Sequence, residues 1–162
     1  MKNVLVTGAS SGLGKEIALT LAQNGFKVFA GVRKQEDKAA LEALNPSIQA
    51  VFIDVTSDES VNEAFEVIKS QTDSLYALVN NAGIALAGPV ECLPVEVIKK
   101  QFEVNVYGAI RTAQKFLPLM DNSRIVNISS MASFGLFPFV SPYCASKRAL
   151  DIFFNEIGRA HV

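Results

Sequence analysis

The sequence predicts an α/β domain built on one parallel sheet covered by helices on both faces. Three observations lead there. Short apolar runs alternate with amphipathic segments of helical period along the whole chain. The composition is 49% hydrophobic and only 19% charged, which suits strands buried on both faces. The 162 residues contain no repeat, low-complexity stretch or linker, so they make one domain with room for a core. In order, the strands are expected at Asn3–Thr7, Lys27–Gly31, Ile48–Ile53, Ala77–Asn80 and Arg124–Ser129. Helices are expected at roughly 12–24, 35–44, 58–70, 94–119 (broken near 103) and 142–158. Thr56 followed by Glu59 matches a capping box opening the third helix. Strands separated by helices imply right-handed crossovers and hence parallel pairing.

Composition also narrows the function. A formal net charge of -1 gives no electrostatic pull toward nucleic acid or an anionic membrane. No apolar run approaches the ~18 residues of a membrane span, and Val4–Val6 is too short for a signal-peptide core. Two cysteines, Cys92 and Cys144, are too few for a disulfide framework, so a cytoplasmic setting is expected. No metal site is implied.

Two stretches carry chemistry. The first βα turn reads Thr7-Gly8-Ala9-Ser10-Ser11-Gly12-Leu13-Gly14. Glycines permit a tight turn and let backbone approach a pyrophosphate, which the N–H groups opening the next helix attract. The Gly-x-x-x-Gly-x-Gly spacing departs from Gly-x-Gly-x-x-Gly. It is not a P-loop either, because Glu16 follows Lys15 where a magnesium-binding hydroxyl belongs. The same residues satisfy the Gly-x-Ser-x-Gly pattern of a hydrolase elbow. That chemistry needs a histidine base, and the only histidine is His161, next to last.

The second stretch is Ser141-Pro142-Tyr143-Cys144-Ala145-Ser146-Lys147. Serine as N-cap and proline at the first helical position open a helix here, placing Tyr143 and Lys147 four residues apart on one face. A phenol is a poor proton carrier at neutral pH, and a neighbouring ammonium favours its ionised form.

With both stretches in view, the chain resembles the short-chain dehydrogenase/reductase family over nearly all 162 residues. Thr7–Gly14 is similar to that family's cofactor turn and Asn80-Asn81-Ala82-Gly83 to the segment closing its fourth strand. Asn105, Ser130, Tyr143 and Lys147 resemble its catalytic tetrad in order and spacing. The resemblance implies a Rossmann-like, doubly wound parallel sheet of strand order 3-2-1-4-5, and a single NAD(P)-binding domain over residues 1–162. It further implies an oxidoreductase interconverting an alcohol and a ketone or aldehyde by hydride transfer. Tyr143 would move the proton, while Lys147 would favour the phenolate and hold the ribose hydroxyls. Ser130 would bind the substrate oxygen, and Asn105 would hold a water linking Lys147 to solvent.

Cofactor contacts follow by position. Gly8, Ser10, Ser11, Gly12, Leu13 and Gly14 would cradle the pyrophosphate, and Asp54 and Val55 would flank the adenine. Asn81, Ala82 and Gly83 would line the path to the nicotinamide, where Tyr143 and Lys147 also make contact. After the second strand, Val32 stands where an acid would hold a ribose 2′-hydroxyl, and Arg33 could grip a 2′-phosphate. Neutral Ser11 weakens that case, so NADP is favoured over NAD without excluding it.

Phe134–Val140 is an apolar run between Ser130 and Tyr143 that would wall a pocket or a subunit contact, and Cys144 reads as buried packing. The stretch Leu136–Lys147 and the Val90–Arg111 helix pair resemble retinol and hydroxysteroid dehydrogenases of the family, which implies a small apolar alcohol or ketone, steroid- or retinoid-like, as substrate; no nucleic acid partner is expected. Relative to the family, the chain stops at Arg159-Ala160-His161-Val162, before the last strands, a Pro-Gly turn and the substrate loop. A truncated frame, a fragment and a protein completed by a partner remain open. The fifth strand would then be an open edge, favouring a homo-oligomer with slow turnover. The alternative function is a dinucleotide-binding scaffold or sensor without turnover.

Overall fold

Five parallel strands pair in the order β3-β2-β1-β4-β5, with β1 Asn3–Val6, β2 Lys27–Val32, β3 Ile48–Phe52, β4 Ala77–Asn80 and β5 Arg124–Asn127. This computed structural model describes residues 1–155 and 157. The helices are α1 Gly12–Gln23, α2 Gln35–Glu42, α3 Asp58–Lys69, α4 Val95–Phe102, α5 Gly108–Phe116 and α6 Ser141–Phe154. The doubly wound α/β class and the strand order are those the sequence implied. Strand ends differ by a residue or two: Thr7, Ile53 and Ser129 lie just beyond their strands, and β2 runs on to Val32. His161 and positions 156 and 158 of the last expected helix lie outside the described residues.

Alternation along β1 explains why the sheet is covered twice. Val4 and Val6 pack with Val28, Ala30, Ala50 and Val79 under α1 through Ala18 and Ala22. Leu5 between them points the other way, toward Phe29, Val51 and Leu78, beneath Val61, Ala64, Phe65 and Ile68 of α3 and Ala113 and Phe116 of α5. Phe65 and Phe116 meet edge to face, with centroids 5.5 Å apart. Of the described strands, β3 and β5 form the two edges, and Arg124 and Val126 of β5 are exposed.

The break expected near 103 is a π-helical turn, Glu103–Tyr107, joining α4 to α5 without leaving the helix axis. Such a turn inserts one residue into an α-helix. Two expected helix starts shift by one. Ser57, not Thr56, caps α3: its Oγ accepts from the Ser60 amide at 3.2 Å. Thr56 is drawn out of the helix because Asp54 Oδ1 accepts both its amide (2.9 Å) and its hydroxyl (2.7 Å). Likewise Ser141 is already helical and makes no capping bond, because the Val140 carbonyl accepts the first helical amide, from Cys144, at 2.9 Å.

Ser57→Ala should therefore lower the free energy of unfolding by about 1 kcal/mol in urea denaturation. Glu59→Ala should change it by less than about 0.5 kcal/mol, since no capping box exists to lose.

Candidate active site

The site forms where the C-terminal ends of β1 and β4 face the start of α1. Gly8 has φ +63, and a Cβ there would stand 2.8 Å from Ala82 Cα. A Cβ on Gly14 would overlap the Gly8 carbonyl oxygen and the Asn81 side-chain amide. Only glycine at both positions lets the turn close this tightly. The Thr7 hydroxyl ties the two strand ends together: it donates to Val79 O (3.3 Å) and accepts from the Asn81 and Ala82 amides (3.1 Å each). Asn81 Nδ2 donates to the Thr7 and Gly8 carbonyls, 2.9 Å each.

These contacts open a cleft of about 280 Å³. Gly8, Ser10, Ser11, Leu13, Gly14, Arg33, Asp54, Val55, Asn81, Ala82 and Gly83 all line it, together with Ile84 and Val104. Gly12, the exposed first residue of α1 with φ +54, does not line it. Ser11 precedes α1 without a side-chain capping bond, so amides of the first turn are left for a ligand. A neighbouring cavity of about 620 Å³ is bounded by Ser10, Ser11, Arg33, Lys34, Asp37 and Asp54. Lys34 pairs with Glu36 at 3.4 Å and is exposed, whereas Val32 is buried in β2.

Burial pushes the Asp54 carboxyl upward, but the two Thr56 bonds and the charges of Arg33 and Arg111 outweigh it and hold the pKa below the ordinary value. A glycine cradle, free helix amides, an ionised carboxylate and a guanidinium together fit a nicotinamide dinucleotide, with its anionic part at α1.

At the far end of the cleft the residues are held by α6. Lys147 is only 5% exposed, and its Nζ donates to Ile128 O at 2.6 Å, at the tip of β5. The same Nζ lies 3.5 Å from where a Cβ on Gly83 would stand, so the ammonium closes the cleft that Gly83 lines. Burial lowers the Lys147 pKa, and Asp151 one turn on opposes that. The ammonium lies 5.9 Å from the centroid of the half-buried Tyr143 ring. Ser130, in extended backbone, opens a short 3₁₀ turn packed against α6, and its Oγ accepts from the Ala132 amide at 3.1 Å.

Asn105 sits buried in the π-helical turn and grips the segment after β4. Its Oδ1 accepts from Ile84 N and its Nδ2 donates to Ile84 O, both at 2.8 Å. Nδ2 also donates to Ser146 Oγ at 3.0 Å, and that hydroxyl donates to Tyr143 O at 2.8 Å. Most of its hydrogen-bonding capacity thus serves the scaffold, leaving one acceptor position on Oδ1.

Several contributing residues were not anticipated. Gln101, fully buried one turn before Asn105, accepts from Leu86 N at 2.6 Å. The Gln101/Asn105 spacing of four was a readable sign of two amides on one face. Thr7 and Arg111 gave no such sign, because Thr7 bonds Val79, Asn81 and Ala82 and Arg111 reaches back to Val55 and Asp58.

The profile of the short chain dehydrogenase family matches residues 2–161. The chain belongs to that family. A relative from Ornithobacterium rhinotracheale, named NADPH-dependent 3-dehydrocapnine reductase, is 35% identical over 169 residues, covering 98% of this chain and 60% of the relative. The mouse mitochondrial D-beta-hydroxybutyrate dehydrogenase is 37% identical over 163 residues, covering 94% of this chain and 48% of that enzyme. A crystal structure of a short-chain dehydrogenase from Streptomyces avermitilis aligns with a TM-score of 0.93 at 32% identity, over 98% of this chain and 60% of that one. The chain thus spans about half to three fifths of the length of these relatives. Among the described residues, no helix is long and apolar enough to cross a membrane.

Because the Asp54 pKa is lowered in the fold, its stabilising contribution is present above the ordinary value of 3.8 and is lost as pH falls through the lowered one. Asp54→Asn should flatten the acid side of the stability profile. Thermal unfolding between pH 7 and pH 3 checks this; an unchanged slope would exclude Asp54 from the acid transition.

Proposed function

We propose that residues 1–162 are a single NAD(P)-binding domain of an oxidoreductase that interconverts an alcohol with a ketone or aldehyde. The carrying observation is the buried Lys147 ammonium, which joins the end of the dinucleotide-shaped cleft at Gly83 to Tyr143 one helical turn away. When bound, a nicotinamide dinucleotide supplies or accepts the hydride. Gly8, Ser10, Ser11, Gly12, Leu13 and Gly14 would hold its pyrophosphate, Asp54 and Val55 its adenosine, and Asn81, Ala82 and Gly83 the path between.

Proton movement belongs to the chain. The Tyr143 phenolate takes the proton of an alcohol and the phenol returns it to a carbonyl oxygen, with the Lys147 ammonium 5.9 Å from the ring centroid. Ser130 already accepts from Ala132 N, which leaves its own proton free for the substrate oxygen. The remaining lone pair of Asn105 Oδ1 would hold a water that connects Lys147 to solvent. Arg33, beside Ser10 and Ser11, favours a 2′-phosphate, so NADP is preferred; the bacterial relative named NADPH-dependent supports this. The exposed apolar residues Phe134 and Leu136, between Ser130 and Tyr143 in sequence, favour an apolar alcohol or ketone. The β5 edge favours self-association.

Tyr143→Phe should reduce turnover by ~10²–10⁴, as for a lost acid/base group, and leave dinucleotide affinity unchanged. Retained turnover in the purified variant would remove Tyr143 from the mechanism. Arg33→Ala should weaken NADPH binding by roughly one to two decades and leave NADH nearly untouched, read by nicotinamide fluorescence. Equal losses for both cofactors would refute the phosphate contact.

A further inference from the structure

Arg111 lies outside the cleft, yet it holds three segments that build one wall of it. Its Nη1 donates to the Val55 carbonyl at 2.6 Å, its Nη2 to Glu103 Oε1 at 2.9 Å and its Nε to Asp58 Oδ1 at 2.5 Å. Val55 belongs to the loop between β3 and α3, Asp58 opens α3, and Glu103 opens the π-helical turn. No other donor reaches the Val55 carbonyl among the described residues. One turn before Arg111, Gly108 receives the Val55 side chain so closely that a Cβ there would stand 2.6 Å from Val55 Cγ2. Val55 is thus seated from two sides by α5.

We propose that Arg111 is a positioning residue for the adenosine end of the cofactor. It fixes the Asp54–Val55–Thr56 wall of the cleft through the Val55 carbonyl, and the neighbouring Val104 wall through Glu103. This rests on the dinucleotide reading of the cleft. The guanidinium suits the task. Its fork satisfies three acceptors on three chain segments at once, which a lysine ammonium on a flexible stem does not reproduce. Its side chain is 22% exposed, so the contacts are partly shielded from water. The Asp58 arm is the weakest, because that carboxylate is 82% exposed and its pairing is screened by solvent. The carbonyl and Glu103 arms therefore carry the positioning.

The test measures NADPH by fluorescence and ADP by calorimetry on wild type, Arg111→Met, Arg111→Lys and Asp58→Asn, with thermal unfolding recorded for each. Arg111→Met should weaken NADPH and ADP by the same factor, roughly tenfold. Arg111→Lys should fall between Met and wild type, and Asp58→Asn should stay within about twofold of wild type. A merely structural role would lower the unfolding temperature of Arg111→Met and leave the affinity of the folded protein unchanged; that result overturns the proposal. So does an Asp58→Asn loss as large as that of Arg111→Met. If Arg111→Met does not fold, Arg111→Lys decides: weakened ADP supports the assignment and unchanged ADP overturns it. Wild type that binds neither ADP nor NADPH would overturn the cleft reading and this proposal with it.

Discussion

The buried amide of Asn105 is the contact on which the C-terminal end of the sheet depends. It closes a two-bond ring with the backbone of Ile84 and reaches Ser146 on α6, whose hydroxyl bonds the Tyr143 carbonyl. One side chain therefore fixes the spacing between the segment leaving β4, the π-helical turn and the helix bearing Tyr143 and Lys147. A buried polar group left unpaired costs about 1–3 kcal/mol, so such a network holds only when every member is present. An apolar residue of similar size would leave Ile84 N, Ile84 O and Ser146 Oγ without these bonds. The wide turn that carries Asn105 is thus part of the same constraint.

The electrostatics of the site follow from where the backbone puts its charges. Lys147 is driven into a nearly dry position where burial disfavours its charge, and Ile128 O is the acceptor that keeps it there. Below the lowered pKa the penalty for burying the ammonium is fully present. It is relieved only as pH rises from that value toward the ordinary 10.5. Asp54 is the reverse case: local hydrogen bonds and two guanidinium groups keep it ionised despite partial burial. Strain of this kind concentrated at one end of a sheet is expected of a functional region.

Local signals were legible in the sequence and distant ones were not. The glycine turn, the Tyr143/Lys147 pair and the break near 103 each rest on spacings of a few residues. The strand order came from resemblance and not from any local pattern. The helix starts lie one residue from those expected at Thr56 and Ser141: bonds from Thr56 to Asp54 leave Ser57 as the cap, and Val140 takes the cap position without a side-chain bond. The Thr7 hydroxyl bonds residues 74 and 75 positions away, and Arg111 bonds Val55 56 positions away. No periodicity encodes such pairings. Gly12 stands in the same motif and opens α1 with φ +54, a conformation that the motif spacing alone does not specify.

The π-helical turn has a consequence for how this segment can change. Each residue of an α-helix advances about 100° around the axis, so one inserted residue sets α4 and α5 out of phase by that amount. Gln101 upstream and Asn105 within the turn face the loop after β4; downstream, Ala113 and Phe116 face the sheet. Both faces are satisfied only while the extra residue stays. Deleting any one of positions 103–107 would restore a regular helix and swing one of the two faces into solvent. The length of this stretch is a phase setting that neither half can alter alone.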